Sequence, residues 1–112
     1  MRNEEMWIQI KVVEYIRRKY PDALFTCAPA TAKSVQQGVK NKRMGLMKGW
    51  PDLFIAEPRN GRHGLFLELK TQKGKVSPEQ SAILNKANEL GYSGIAVYSY
   101  EEAVETINSY MK

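Results

Sequence analysis

The sequence predicts an α/β domain built on a mixed central sheet flanked by helices. Three observations carry this. Apolar residues recur at helical spacing in some segments and in short strand-like runs in others. Two strand-like runs, 52–56 and 65–70, flank a turn and read as an antiparallel hairpin. Capping residues stand at the starts of the helical segments. At 112 residues, 43% of them hydrophobic, the chain suits one domain with one core, residues 1–112. The predicted element order is α-β-β-β-α-β-α.

The first helix is expected over Glu4 to Lys19. Asn3 can cap it, Glu4 and Glu5 suit the positive end of its dipole, and Arg17, Arg18 and Lys19 suit the other. Met6, Ile10, Val13 and Ile16 form an apolar stripe, and Pro21 stops the helix. Ala23 to Ala28 reads as a strand. The stretch from Pro29 to Gly49 reads as loops around a short helix, Ala32 to Val39. Asp52 to Ala56 and Leu65 to Lys70 form the hairpin, joined through Pro58, Asn60 and Gly61.

Ser77-Pro78-Glu79-Gln80 opens the next helix: serine as cap, proline at the first helical position, glutamine completing a capping box. Ile83, Leu84, Ala87 and Leu90 form its inward stripe, and Gly91 ends it. Ile95 to Tyr98 is a short strand. Ser99 to Glu102 is a second capping box, opening a last helix with Val104, Ile107 and Met111 inward.

Composition excludes several chemistries. The single cysteine, Cys27, permits no disulfide within the chain and no cysteine-based zinc site. The single histidine, His63, lies in a turn, which removes histidine triads and histidine-rich metal sites. No segment reaches the roughly 20 apolar residues of a membrane span, and no signal-peptide pattern is present, so a cytoplasmic protein is expected. Seventeen basic against twelve acidic side chains leave a net charge of +5, which points to nucleic acid only where it clusters.

The residues that promise chemistry are Pro51-Asp52, then fifteen residues, then Glu68-Leu69-Lys70. Strand alternation puts Glu68 and Lys70 on one face, with Leu69 toward the core. Two charges there are either a solvated surface or part of a site. Asp52 starts the neighbouring strand after the stiff Gly49-Trp50-Pro51 turn and brings a third charge to the same place. Carboxylates suit a hard divalent cation, and a lysine beside them can orient a water. This set is what metal-assisted phosphodiester hydrolysis needs.

The runs Gly49-Trp50-Pro51-Asp52-Leu53, Gly64 to Lys70, Gly74 to Gln80 and Gly91-Tyr92, together with Glu5 and Gln9, resemble the VRR-NUC domain over nearly the whole chain. That domain is a branch of the PD-(D/E)XK nuclease superfamily, with a restriction-endonuclease-like fold. The resemblance implies a Mg²⁺- or Mn²⁺-dependent endodeoxyribonuclease. It implies Asp52, Glu68 and the carbonyl of Leu69 as metal ligands and Lys70 as the residue positioning the attacking water. Glu5 would approach from the first helix, as a ligand or through water; Glu4 is the alternative, and Glu5 with Gln9 lies on one helix face. Gln80 is expected near the lysine, or else as capping partner of Ser77; the two uses are not expected together. Small stand-alone members are typical of phages and bacteria, and some resemble Holliday-junction resolvases acting as homodimers. Where many members carry a polar residue after the first strand, this chain has Cys27 to Thr31, so no catalytic role is assigned there.

The acid-free stretch holding Lys33, Lys40, Lys42, Arg43 and Lys48 reads as a DNA contact through phosphates, or as a solvated loop. Lys73 and Lys75 stand where they can hold the backbone of the cut strand. Trp50 is either a stacking platform or a core anchor. A branched-DNA endonuclease is the expectation. A non-catalytic DNA-binding module on the same fold and a sequence-reading restriction-type nuclease are the alternatives.

Overall fold

The computed structural model describes residues 3–28 and 34–112, with side chains from Glu4 onward. Lys33 and the Pro29–Thr31 part of the segment after the first strand lie outside them, as does the capping side chain of Asn3. Elements follow in the order α1 (Asn3–Lys19), β1 (Phe25–Cys27), α2 (Val35–Arg43), β2 (Leu53–Ile55), β3 (Leu65–Leu69), α3 (Pro78–Glu89), β4 (Ser93–Val97) and α4 (Tyr100–Met111). The four strands form one sheet in the order β1-β2-β3-β4. β1 with β2 and β2 with β3 are antiparallel, and β3 with β4 is parallel, α3 making the crossover. This is the mixed sheet expected. The stretch before β2 contributes a full helix, which starts three residues later and ends four later than the sequence suggested.

Alternation on β2 and β3 sorts the two faces. Leu53, Ile55, Leu65, Leu67 and Leu69 point to the main core, where Val12 and Ile16 of α1 and Ala103, Ile107 and Tyr110 of α4 cover them. Phe66, Leu84 and Ala87 form a smaller core on the opposite face beneath α3, with Phe54, Tyr92 and Ala96 packed against it. β3 is thus buried on both faces, the central strand of the domain.

Three stripes differ from expectation; on α4 the buried residues are Ala103, Ile107 and Tyr110, with Met111 packed against the core and Val104 only half-buried. On α1 the inward residues are Val12 and Ile16, supported by Ile8, Val13 and Tyr20, while Met6, Trp7 and Ile10 are exposed. The helix carries apolar residues on two faces, and Ile8, Val12 and Ile16, spaced by four, are the set that meets the sheet and α4. On α3, Leu90 is exposed because it is the C-cap residue, already outside the helix.

The turns obey their sequence. Asn60 and Gly61 both take positive φ, 54° and 75°, between Arg59 and Arg62, which exchange two backbone hydrogen bonds. Asn60 Nδ2 donates to the Tyr110 carbonyl, and the Tyr110 hydroxyl donates to the Glu57 carbonyl, tying the hairpin tip to α4. At α4, Ser99 Oγ accepts from Glu102 N as predicted. The reciprocal arm is shifted by one residue: Glu102 Oε1 accepts from Tyr98 N.

Gly49 holds the turn before β2 against α3. Its φ is +87°, and a Cβ there would lie 2.9 Å from Gln80 N and from Glu79 atoms. Gly45 has a comparable φ of +101° with open space around it. Alanine at either position incurs left-handed strain of about 1–2 kcal/mol. Gly49→Ala adds overlap with the α3 backbone, worth roughly 1–3 kcal/mol more. Thermal denaturation of the two variants is expected to place Gly49→Ala clearly below Gly45→Ala; equal melting temperatures would contradict this packing.

Candidate active site

The hairpin register sets the geometry. Leu53 stands opposite Leu67 and Phe54 opposite Phe66, so one step further Asp52 lies across from Glu68. Both carboxylates project from the α3 side of the sheet, at the end where β2 begins and β3 finishes. Asp52 is fixed by the backbone: its Oδ2 accepts from Leu69 N at 2.7 Å. Glu68 is only 3% exposed, which excludes the reading of it as a surface charge. Its Oε2 accepts from Gln80 Nε2 at 2.8 Å and lies 3.6 Å from Lys70 Nζ. Its Oε1 is buried with no hydrogen-bond partner among the described residues.

Gln80 does two things that the sequence reading set against each other. Its Oε1 accepts from Ser77 N at 2.8 Å, while Ser77 Oγ accepts from Gln80 N at 3.1 Å, so the capping box is complete. Its Nε2 is left free to reach Glu68. An amide has an acceptor end and a donor end, and each is used once. The capping box thereby fixes which end of Gln80 faces Glu68. Ser77 is the supporting residue that the sequence did not connect to Glu68, although the S-P-E-Q motif was its signal.

Two facing carboxylates, Glu68 buried and Asp52 half-buried, shift each other's titration. Asp52 is raised above its ordinary pKa, first by loss of solvent and then by the charge of Glu5, against the lowering effects of the Leu69 N–H and Lys70. Glu68 is pushed up to about 7, first by burial and then by Asp52, with Lys70 opposing. Glu5 is thus felt at the site and is half-buried, whereas Glu4 is exposed. The structure therefore brings together Asp52, Glu68, Leu69, Lys70 and Gln80, with Glu5 within electrostatic reach.

The basic candidates are distributed differently. Lys48 Nζ lies 3.9 Å from Glu79 Oε2, beside Gln80 at the start of α3. Lys40, Lys42 and Arg43 occupy the last turn of α2, all exposed. Lys73 and Lys75 flank Gly74, in a turn that folds against the stem of Lys70. Trp50 is neither fully in nor fully out: its ring meets Phe66 edge-on at 5.3 Å, yet the residue is 40% exposed.

Among the described residues no three His, Cys, Asp or Glu side chains form a ready-made metal cluster. The donors present nevertheless fit a hard divalent cation. They are oxygens only, two carboxylates face each other, and one buried carboxylate oxygen has no hydrogen-bond partner.

A four-stranded mixed sheet carrying an Asp/Glu pair and a lysine at the ends of adjacent strands defines a nuclease-type fold of the PD-(D/E)XK kind. The VRR-NUC domain family matches residues 2–100, and the chain belongs to that family. Among solved structures, one described as a VRR_NUC domain protein superimposes with a TM-score of 0.84 at 24% identity, covering 96% of this chain and 87% of that one. A second, described as a VRR_NUC domain, gives a TM-score of 0.57 at 20% identity, covering 92% and 97%. At these identities the structures speak for the fold alone. No curated protein sequence matches the chain. Among the described residues no helix is long and apolar enough to cross a membrane.

The raised pKa of Glu68 has a consequence for stability. Between the ordinary value of 4.5 and about 7 the folded protein keeps a proton that the unfolded chain has lost. Stability of the metal-free protein therefore falls as pH rises through that window, by about 3 kcal/mol from this group. Glu68→Gln is expected to melt above wild type at pH 8 without metal, and to lose that advantage below pH 4.5. Differential scanning calorimetry across pH checks this; a variant that melts below wild type at pH 8 would refute it.

Proposed function

We propose that this protein is a metal-dependent, structure-specific DNA endonuclease that hydrolyses phosphodiester bonds at branched DNA such as Holliday junctions. The observation that carries the reading is the facing Asp52–Glu68 pair, in which Gln80 and Lys70 hold Oε2 of the buried Glu68 while its Oε1 has no hydrogen-bond partner among the described residues. Burying two facing carboxylates is costly, and a structure keeps such an arrangement where function uses it.

In this reading Asp52, Glu68 and the Leu69 carbonyl hold Mg²⁺ or Mn²⁺, with Glu5 approaching directly or through water. The bound cation supplies positive charge for the phosphate oxygens as negative charge develops on them. Lys70 orients the attacking water and adds its own charge near the phosphate. Its stem is packed against the 71–74 turn, so its ammonium is held rather than free to sweep. Gln80 keeps Glu68 from rotating. Lys40, Lys42, Arg43 and Lys48, with Lys33, Lys73 and Lys75, contact phosphates, which gives affinity without reading sequence and suits recognition of DNA by shape. Two copies of the chain, as a homodimer, would present two sites to the two symmetric cuts that resolve a junction.

Purified protein incubated with a four-way junction and Mg²⁺ is expected to cut it, and EDTA to stop the cutting. Glu68→Ala and Lys70→Ala are each expected to lower the rate about 10²- to 10⁴-fold with unchanged circular dichroism. Failure to cut any branched, flapped or linear DNA in Mg²⁺ or Mn²⁺ would sink the proposal. Discrete bands from linear plasmid would replace shape recognition with sequence recognition.

A further inference from the structure

We infer that Trp50 is a stacking platform for a nucleobase beside the phosphodiester site, so that the preferred substrate carries an unpaired, unstacked base next to the cut. The inference rests on the proposed nuclease reading and adds the class of DNA that the site accepts.

The ring is held in place from several sides. Gly49 before it lies at φ +87° against the start of α3, Pro51 after it is fully buried, and Asp52 is bonded to Leu69 N. The indole meets Phe66 in a perpendicular, edge-to-face contact, at 5.3 Å and 89°. Phe66 is 7% exposed and belongs to the interior, whereas Trp50 retains 40% exposure. An indole that served only as a core anchor would be covered on both sides. This one is in contact with the interior through Phe66 yet keeps part of its surface exposed, with its backbone fixed by the turn.

Its position fits a nucleic acid strand. Phe66 precedes Glu68 by two residues on β3, roughly 7 Å along the strand, and points to the same face, so the indole resting against Phe66 lies on the carboxylates' side of the sheet. Lys48, with its side chain 86% exposed, stands two residues before Trp50 and offers a phosphate contact. An aromatic face beside basic side chains is the arrangement on which single-stranded bases stack. A base inside a continuous duplex cannot reach such a face, because both of its own faces are occupied. A base at a branch point, flap or single-stranded end can.

Trp7 is the other tryptophan, so Trp7→Phe leaves Trp50 as the sole indole. In EDTA, to prevent cutting, that variant is titrated with an oligo-dT strand, an immobile four-way junction and a blunt duplex of equal length. Quenching of indole fluorescence by the first two and not by the duplex is expected. Trp50→Ala is expected to weaken junction binding about 5- to 150-fold while leaving duplex binding unchanged, and Trp50→Phe to recover most of the loss. Absence of quenching, equal losses on junction and duplex, or protein-concentration-dependent quenching without DNA, which would mean a second copy covers the ring, each overturns the inference. Quenching without any cleavage in Mg²⁺ would leave the stacking role standing and remove the nuclease reading. Cleavage without quenching would do the reverse.

Discussion

Everything distinctive in this molecule follows from placing two carboxylates opposite each other at the end of a hairpin and then removing them from water. Asp52 and Glu68 owe their opposition to backbone register, which a strand pair fixes wherever one face is buried. Here Leu53, Leu67 and their neighbours bury that face completely, so a slip of one residue would expose the core as well as separate the acids. Core packing and site geometry are thus one constraint, and the stability of the leucine-rich face is what keeps the acids paired.

Three groups moderate the electrostatic cost, two at the end of β3 and one from α3. The Leu69 N–H holds Asp52, the Gln80 amide holds Glu68, and the Lys70 ammonium offsets part of the shared charge. None neutralises the pair, and Glu68 still sits near neutrality in its titration. α3 is drawn into the site through its first turn alone: Ser77 caps the helix, Gln80 answers it, and the unused end of that amide extends to the sheet. A helix start thereby becomes a support for a strand residue twelve positions earlier in the chain.

Much of this was legible in the sequence. Alternation over Leu65 to Leu69 gave the strand and both of its faces, and Asn60-Gly61 gave the turn. The Ser77 to Gln80 run gave the start of α3 to the residue. What was not legible had physical causes. α1 carries two apolar faces, and only the packed molecule decides that Val12 and Ile16 turn inward while Met6 and Ile10 do not. A motif at the level of residue types cannot say that an amide serves two neighbours with its two ends. The partial exposure of Trp50 depends on its contact with Phe66 from another strand, which no local pattern encodes.

α2 stands apart from this economy. It is nine residues long, capped by Ser34 at one end, and none of its residues is buried; Val35 is 82% exposed and Met44 76%. An isolated helix shorter than about 12–15 residues is marginal in water, and tertiary burial is the usual remedy. Without that burial, α2 opens at a free-energy cost far below that of the central strand, and its amide protons exchange with solvent long before those of β3. A partner lying along its Lys40, Lys42 and Arg43 turn must supply the ordering that the rest of the domain does not, so part of the contact energy is spent on the helix itself. The end of the molecule that carries Asp52 and Glu68 is preorganised by its core, whereas α2 has no such support.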